Sequence, residues 1–297
     1  MKYVSFIQDG IEQAGIQVEQ GVISIEMMNR IYKTDWPTDM MSLLREERLD
    51  ELNSWIMSRS FINELPGLEM ASPDEIYFAP LYRNPGKIYG IGFNYTSSYE
   101  ELTAFRNQKE REEPVGFFKP STSLIGPGDD IRLPEQSKRV IAEAELAIVI
   151  GKACSHVSEE IATGCIAGYV AVLDIGADDI HQKNPRFLTR SKSFDTFFSL
   201  GSELLTPDEV DPFAEIQIAT IRNGQVEAQK KAGLMRYTPA HVVSFHSEHM
   251  TLLPGDIIMT GTPGACIIRE GDHVECRIDG FMPLVNGVSR TIKRTDA

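Results

Sequence analysis

The segment Glu143-Ala-Glu145 runs straight into the apolar string Leu146-Ala-Ile-Val-Ile150, and that junction constrains the fold more than any other stretch of the chain. The apolar string reads as a strand. Side chains alternate faces along a strand, so Glu143 and Glu145 project from the same face. Adjacent like charges repel, and burying either one without a partner is costly. A cation between them relieves both problems. A third acid, Asp174, ends a second apolar strand, Tyr169-Val-Ala-Val-Leu173. Three carboxylates on two adjacent strand ends suit a hard divalent ion such as Mg²⁺ or Mn²⁺. A solvated acidic strand end is the alternative reading of the same residues.

Composition narrows the partners. A formal net charge of −14 over 297 residues leaves no basic surface for nucleic acid and disfavours an anionic membrane. An anionic small substrate then needs local help from a metal or from a few lysines and arginines. The 42% hydrophobic and 24% charged content is that of a soluble globular protein, here one large domain or two unequal ones. No run reaches the roughly eighteen apolar residues of a membrane helix. The start, Met1-Lys-Tyr-Val-Ser-Phe-Ile-Gln-Asp9, lacks the apolar stretch of a signal peptide, so a cytoplasmic location is expected. Cys154, Cys165, Cys266 and Cys276 show no paired short spacing, which predicts reduced thiols rather than a zinc knuckle or disulfides.

Residues 1–80 read differently from the rest. Short strands are expected at Tyr3–Ile7, Gly15–Val18 and Val22–Ile25, then a helical stretch over 40–58 with Leu43, Leu44, Leu49, Leu52, Trp55 and Ile56 at helical spacing. Ser72-Pro-Asp74 marks a break, and residues 79–86 look like a linker into a second unit. From Lys87 onward strands dominate: 88–93, 142–150, 166–173, 216–222, 256–260 and 273–278. Helices are expected near 158–165 and from Thr238-Pro239 to about His249. Strands and helices do not alternate regularly, which argues against a doubly wound sheet and for a β-rich α+β fold.

Several strings carry less than they first suggest. Gly90-Ile-Gly92 lacks the third glycine of a dinucleotide fingerprint, and Gly126-Pro-Gly128 has no phosphate-loop lysine and reads as a turn. Thr260-Gly-Thr262 enters a tight turn whose hydroxyls and amides suit a carboxylate, although most such strings are plain hairpin corners. His241, His246 and His249 share one expected helix, but no third zinc ligand is evident and solvent-facing histidines are expected. Lys119 and Lys192 each sit among apolar or small residues. Read alone they are surface lysines whose stems cover apolar neighbours; in so acidic a chain they would also serve an anionic substrate held near the carboxylates.

Taken in order, these strings resemble the fumarylacetoacetate hydrolase family from about Lys87 to Asn286. The resemblance rests on Lys87-Ile-Tyr-Gly-Ile-Gly-Phe-Asn-Tyr95, Phe118-Lys-Pro120 with Ser123-Leu-Ile-Gly-Pro-Gly128, Glu143-Ala-Glu145, Asp174, Lys192-Ser-Phe-Asp195 and Thr260-Gly-Thr-Pro263. It implies a rolled, mostly β catalytic domain, commonly homodimeric. It also implies a divalent metal held by Glu143, Glu145 and Asp174, usually Mg²⁺, with Mn²⁺ or Ca²⁺ as alternatives. Substrates of such enzymes are small 2-oxo or 2,4-dioxo acids, which react through an enolate that the metal stabilises. The resemblance places Glu101, Lys192 and Ser98 in catalysis, and Tyr95, Lys119, Gln229 and Thr262 against the substrate.

The departures from the pattern matter equally. Hydrolytic members carry Asn-Tyr-x-x-His-x-x-Glu on a short lid helix, and here Ser98 stands where that histidine should be while Glu101 is kept. Serine is no base near neutral pH without help. After Asp174 the usual arginine is replaced by Asp178, and Gln229 sits one place late after Asn223-Gly224. The resulting expectation is an α+β, predominantly β protein with a small N-terminal α+β domain (1–80) and a catalytic domain (81–297). It acts on a small 2-oxo acid by decarboxylation or keto–enol isomerisation. An acylpyruvate-type C–C hydrolase and a non-catalytic metal- and ligand-binding protein are the competing readings.

Overall fold

The computed structural model describes residues 1–58, 70–71 and 76–290. The chain opens as a meander of β1 (Lys2–Gln8), β2 (Ile11–Val18) and β3 (Gly21–Ser24). Asp9 and Gly10, both at positive φ, form the tight turn between the first two strands. Three helices follow: α1 (Ile25–Tyr32), α2 (Met40–Arg45) and α3 (Leu49–Ser58). The strand expected over 22–25 stops at Ser24, whose hydroxyl accepts the Met27 N–H and starts α1 instead. The single helix expected over 40–58 is two. The chain turns at Glu47 (φ 54°), and Arg48 lays its guanidinium 4.4 Å from the Trp36 ring centroid.

The next elements are β4 (Tyr77–Phe78), β5 (Ile88–Gly92), α4 (Tyr99–Arg106), β6 (Val115–Lys119), β7 (Leu124–Ile125) and β8 (Asp130–Leu133). Residues 79–86 are no solvated linker. Ala79, Leu81 and Tyr82 are buried, the Ala79 N–H donates to the Ser5 carbonyl, and the Leu81 N–H donates to that of Gly201. The break expected at Ser72-Pro-Asp74 lies outside the described residues.

Two long strands form the spine, β9 (Val140–Ile150) and β10 (Ile166–Ala177), with α5 (Glu159–Thr163) between them. Then come α6 (Asp178–Lys183), α7 (Leu188–Lys192), β11 (Phe198–Leu200), β12 (Glu203–Leu205), β13 (Gln217–Arg222) and β14 (Gln225–Lys231). The chain closes with α8 (Pro239–Ser247), β15 (Ile257–Met259), β16 (Ala265–Ile268), β17 (His273–Ile278) and β18 (Leu284–Arg290).

These strands make a 13-stranded mixed sheet, whose main path runs β3-β2-β1-β12-β10-β9-β15-β5-β6, and a 5-stranded sheet ordered β14-β13-β17-β18-β8. The architecture is the predominantly β, α+β fold expected from the sequence. Alternation along β9 and β10 sends side chains into two cores. Leu146, Ile148, Ala171 and Leu173 enter the core shared with the smaller sheet. Ala147, Val149, Val170 and Val172 enter a core built with Leu43, Leu44 and Leu52 of the N-terminal helices. The first 58 residues therefore extend the sheet through the β1–β12 pairing and pack on the same face as the acids.

Candidate metal centre

One edge of β9 changes partners halfway along. Strand β16 pairs with it over Val140–Glu143 and β15 over Ala147–Val149, so Ala144, Glu145 and Leu146 have no strand partner on that side. The turn at residues 260–264 crosses the gap, and side chains satisfy the freed backbone groups. The Thr260 N–H and hydroxyl both donate to the Leu146 carbonyl. The Thr220 hydroxyl accepts the Ala144 N–H at 3.1 Å and donates to the Gly264 carbonyl at 2.8 Å. Gly261, at φ +90°, donates its N–H to Glu145 Oε2 at 2.6 Å. Any side chain there would meet Asn94 Cβ at 3.0 Å, so glycine is required on both counts.

The acids thus lie inside their strands rather than at strand ends, because β9 starts at Val140 and β10 continues to Ala177. Asp174 is directly opposite Glu143 in the ladder. Glu143, Glu145 and Asp174 each offer an oxygen, all within 4.8 Å of one another. Glu145 and Asp174 are buried and Glu143 is nearly so.

Two lysines face the triad, and neither is the surface residue that its local context implies. Lys119, with its side chain fully buried, donates to Asp174 Oδ1 at 2.5 Å and to the Ile175 carbonyl at 3.0 Å. Lys192 donates to Glu143 Oε2 at 2.7 Å and to Asp174 Oδ2, with its ammonium 5.1 Å from the Phe117 ring centroid. Gly176 leaves it room, since a Cβ there would sit 3.3 Å from Lys192 Nζ.

Burial pushes the Lys119 ammonium down to about 8 against the opposing pull of Asp174. Burial also works against the Lys192 charge, but Asp174 and Glu143 outweigh it and hold Lys192 above an ordinary lysine. The Glu145 carboxyl is raised well above the usual range by burial and then by the charges of Asp174 and Glu143. A buried acid that resists ionisation beside two others is what an inserted divalent cation corrects, so the donor set fits such an ion.

Around the triad the structure sorts the other expected residues. Tyr95 lies close enough that the Glu145 charge, after burial, raises its phenol well above normal, and its hydroxyl is buried without a partner. Thr262 spends its hydroxyl on Gly264, at 3.2 Å to the carbonyl and 3.1 Å to the N–H. Ser98 caps α4 by accepting the Glu101 N–H. Glu101 accepts the Ser97 N–H at 2.7 Å and an Arg236 N–H at 3.2 Å, which hold its carboxyl below the usual range. Gln229 is exposed and lies on the opposite face of β14 from Ala228 and Lys230. Asp178 pairs with Arg139 at 2.7 Å and accepts from Gln182, outside the triad.

The histidines are not uniformly solvent-facing. His246 is buried against Tyr89, with ring centroids 4.7 Å apart and burial lowering its pKa to about 4, whereas His249 is exposed. Asn94, Thr220, Lys230 and Arg236 were not singled out by the sequence. For Asn94 the signal was its place beside Tyr95. Its buried amide ties the Thr260 carbonyl (2.8 Å) to the Tyr237 backbone.

A rolled mixed sheet with a buried carboxylate triad and two lysines in its seam is the ground plan of a small-molecule enzyme. The chain belongs to the fumarylacetoacetate hydrolase family, whose model, described as fumarylacetoacetate (FAA) hydrolase C-terminal, matches residues 87–289. Rat (Rattus norvegicus) mitochondrial oxaloacetate tautomerase Fahd2a is 29% identical over 296 residues, covering 97% of this chain and 91% of its own. Maleylpyruvate hydrolase from Sphingobium sp. SYK-6, solved with manganese(II) and pyruvate, superposes with a TM-score of 0.78 at 26% identity, over 98% of this chain and 100% of that one. A 5-carboxymethyl-2-hydroxymuconate delta-isomerase from Mycobacterium smegmatis is 35% identical with a TM-score of 0.69, over 75% of this chain and 86% of that one.

Proposed function

We propose that this protein is a divalent-metal enzyme that interconverts the keto and enol forms of a small 2-oxo carboxylic acid of the oxaloacetate type. The observation that carries this reading is the state of the helix α4. Its Ser98 hydroxyl is committed to capping, and Glu101 is held ionised by the Ser97 N–H and Arg236. No histidine–glutamate pair stands there to activate water, so hydrolysis lacks its base. Tautomerisation needs only a proton moved between carbon and oxygen while the enolate charge is held. A neighbouring relative named as an oxaloacetate tautomerase and another named as an isomerase support the same choice.

Glu143, Glu145 and Asp174 would hold a divalent ion, which would supply Lewis acidity to the substrate's oxygens. The chain's own residues do the rest. Lys119 and Lys192 place two ammonium groups beside the triad and hold the substrate's anionic oxygens. The Gly261 N–H holds the Glu145 carboxylate in place through Oε2. The Glu101–Arg236 pair, with the guanidinium packed 5.2 Å from the Phe105 ring centroid, ties α4 to the segment that follows β14.

The test is a Mg²⁺-loaded assay that follows loss of the enol absorbance of oxaloacetate. Acceleration over buffer is expected, abolished in Glu143→Ala and in Asp174→Ala, with acylpyruvates left intact. Cleavage of an acylpyruvate, or release of CO₂ without tautomerisation, would overturn the assignment.

A further inference from the structure

Strand β14 brings a cation to the site that neither the triad nor the lid accounts for. Ala228 and Lys230 share one face of β14. That face is turned to the edge of β9 at Ala144 and to the 260–264 turn that crosses it. Ala228 is paired with Thr220, whose hydroxyl holds the amide of Ala144 between the two glutamates. Ala228 Cβ also abuts the 260–264 turn, lying 2.7 Å from where a Cβ on Gly264 would stand. A side chain no larger than alanine leaves space beside that turn.

Two residues along, the Lys230 ammonium donates to the Thr96 carbonyl at 3.0 Å and stands 6.0 Å from the Tyr95 ring centroid. Among the described residues no carboxylate pairs with it, whereas its neighbour Lys231, on the opposite face, is bonded to Glu215 at 2.6 Å. An ammonium carries three donors, so two remain free. The Tyr95 hydroxyl, buried and without a partner, is a further unused donor next to it. A half-buried lysine without a carboxylate partner among the described residues, in a chain of net charge −14 and beside an unpartnered phenol, has the donors that a carboxylate requires.

Resting on the 2-oxo acid reading above, we propose that Lys230, with the Tyr95 hydroxyl, binds a second carboxylate of the substrate and makes the enzyme selective for dicarboxylic 2-oxo acids. Charge balance agrees. Two lysines and a divalent ion outweigh the triad's three carboxylates by one, and Lys230 raises the surplus to two, the charge that a dicarboxylate brings. The 2-oxo acid end lies at the triad, the distal carboxylate at Lys230, and Ala228 provides the room between them.

The test uses two stable ligands with the same head, oxamate and N-oxalylglycine, which differ by one appended carboxylate. Calorimetric titration into the Mg²⁺-loaded protein should show N-oxalylglycine at least about tenfold tighter, equivalent to ~1.4 kcal/mol. Lys230→Gln, which keeps a donor for Thr96, should erase that preference and leave oxamate affinity unchanged. Lys230→Arg should retain it, which a purely structural role for the residue would not require. Equal binding of the two ligands by the native protein overturns the subsite while the 2-oxo acid reading stands. A preference that persists in Lys230→Gln overturns the role of Lys230. Binding of neither ligand refutes the 2-oxo acid reading itself, and the subsite with it.

Discussion

Lys192 is the residue on which the metal-free site depends. Its ammonium lies between Glu143 and Asp174, with only 11% of the side chain exposed, where a cation is needed whether or not a metal is bound. Lys192→Met keeps the length and removes the charge. Breaking a buried ion pair on one side typically costs about 3–5 kcal/mol, so the metal-free variant should melt on the order of 10 °C below the native protein. Mg²⁺ should then raise its Tm by more than it raises that of the native chain, because the ion replaces the missing charge. Thermal unfolding in chelator and in Mg²⁺ decides it; an unchanged metal-free Tm would remove Lys192 from this role. At this scale the sequence was legible where geometry is local. Two glutamates two residues apart on a strand must share a face, and they do. It was opaque where burial decides, as with Lys119, Lys192 and His246, since nothing in their neighbours says which lysine or histidine the fold encloses.

At the scale of elements, the helix α4 shows how a change of one residue type changes the use of a motif. Ser98 and Glu101 stand in the Ser-x-x-Glu spacing of a capping box, with the serine hydroxyl on the Glu101 N–H and the glutamate on the Ser97 N–H. That string was readable as a cap from sequence alone, but as the remnant of a catalytic pair it drew attention to chemistry instead. Ser98→Ala should cost about 1 kcal/mol locally. Amide hydrogens of the first turn of α4, at Glu101 and Leu102, should exchange several-fold faster while those of β9 and β10 keep their protection. Equal exchange in the two proteins would mean that the helix is held by Arg236 and Phe105 rather than by its cap. Other elements escaped notice for a common reason. Where β9 begins, where 40–58 breaks and how 79–86 is buried are all set by partners outside the segment itself: β16, Trp36, Ser5 and Gly201.

For the whole molecule the question is whether the family-matched part stands alone. The family match begins at residue 87, yet the face of the sheet that carries Glu143, Glu145 and Asp174 is completed from the N-terminal side. Ala147, Val149, Val170 and Val172 continue the row of those acids along the same face and share a core with Leu43, Leu44, Leu52 and Ile56. The edge of β12 is paired only because β1 lies on it, through Lys2↔Leu205 to Val4↔Glu203. Cutting the chain at residue 80 would therefore expose a broad apolar face and an unpaired strand edge together, the combination that drives aggregation. A fragment of 81–297 should express as insoluble protein, and supplying residues 1–80 as a separate chain should recover soluble material that unfolds cooperatively. A fragment that unfolds cooperatively by itself and gains stability from Mg²⁺ would show that the triad needs no cover. The expected failure follows from where the carboxylates sit: three acids in mid-strand on an otherwise apolar face keep their spacing only while that face is packed.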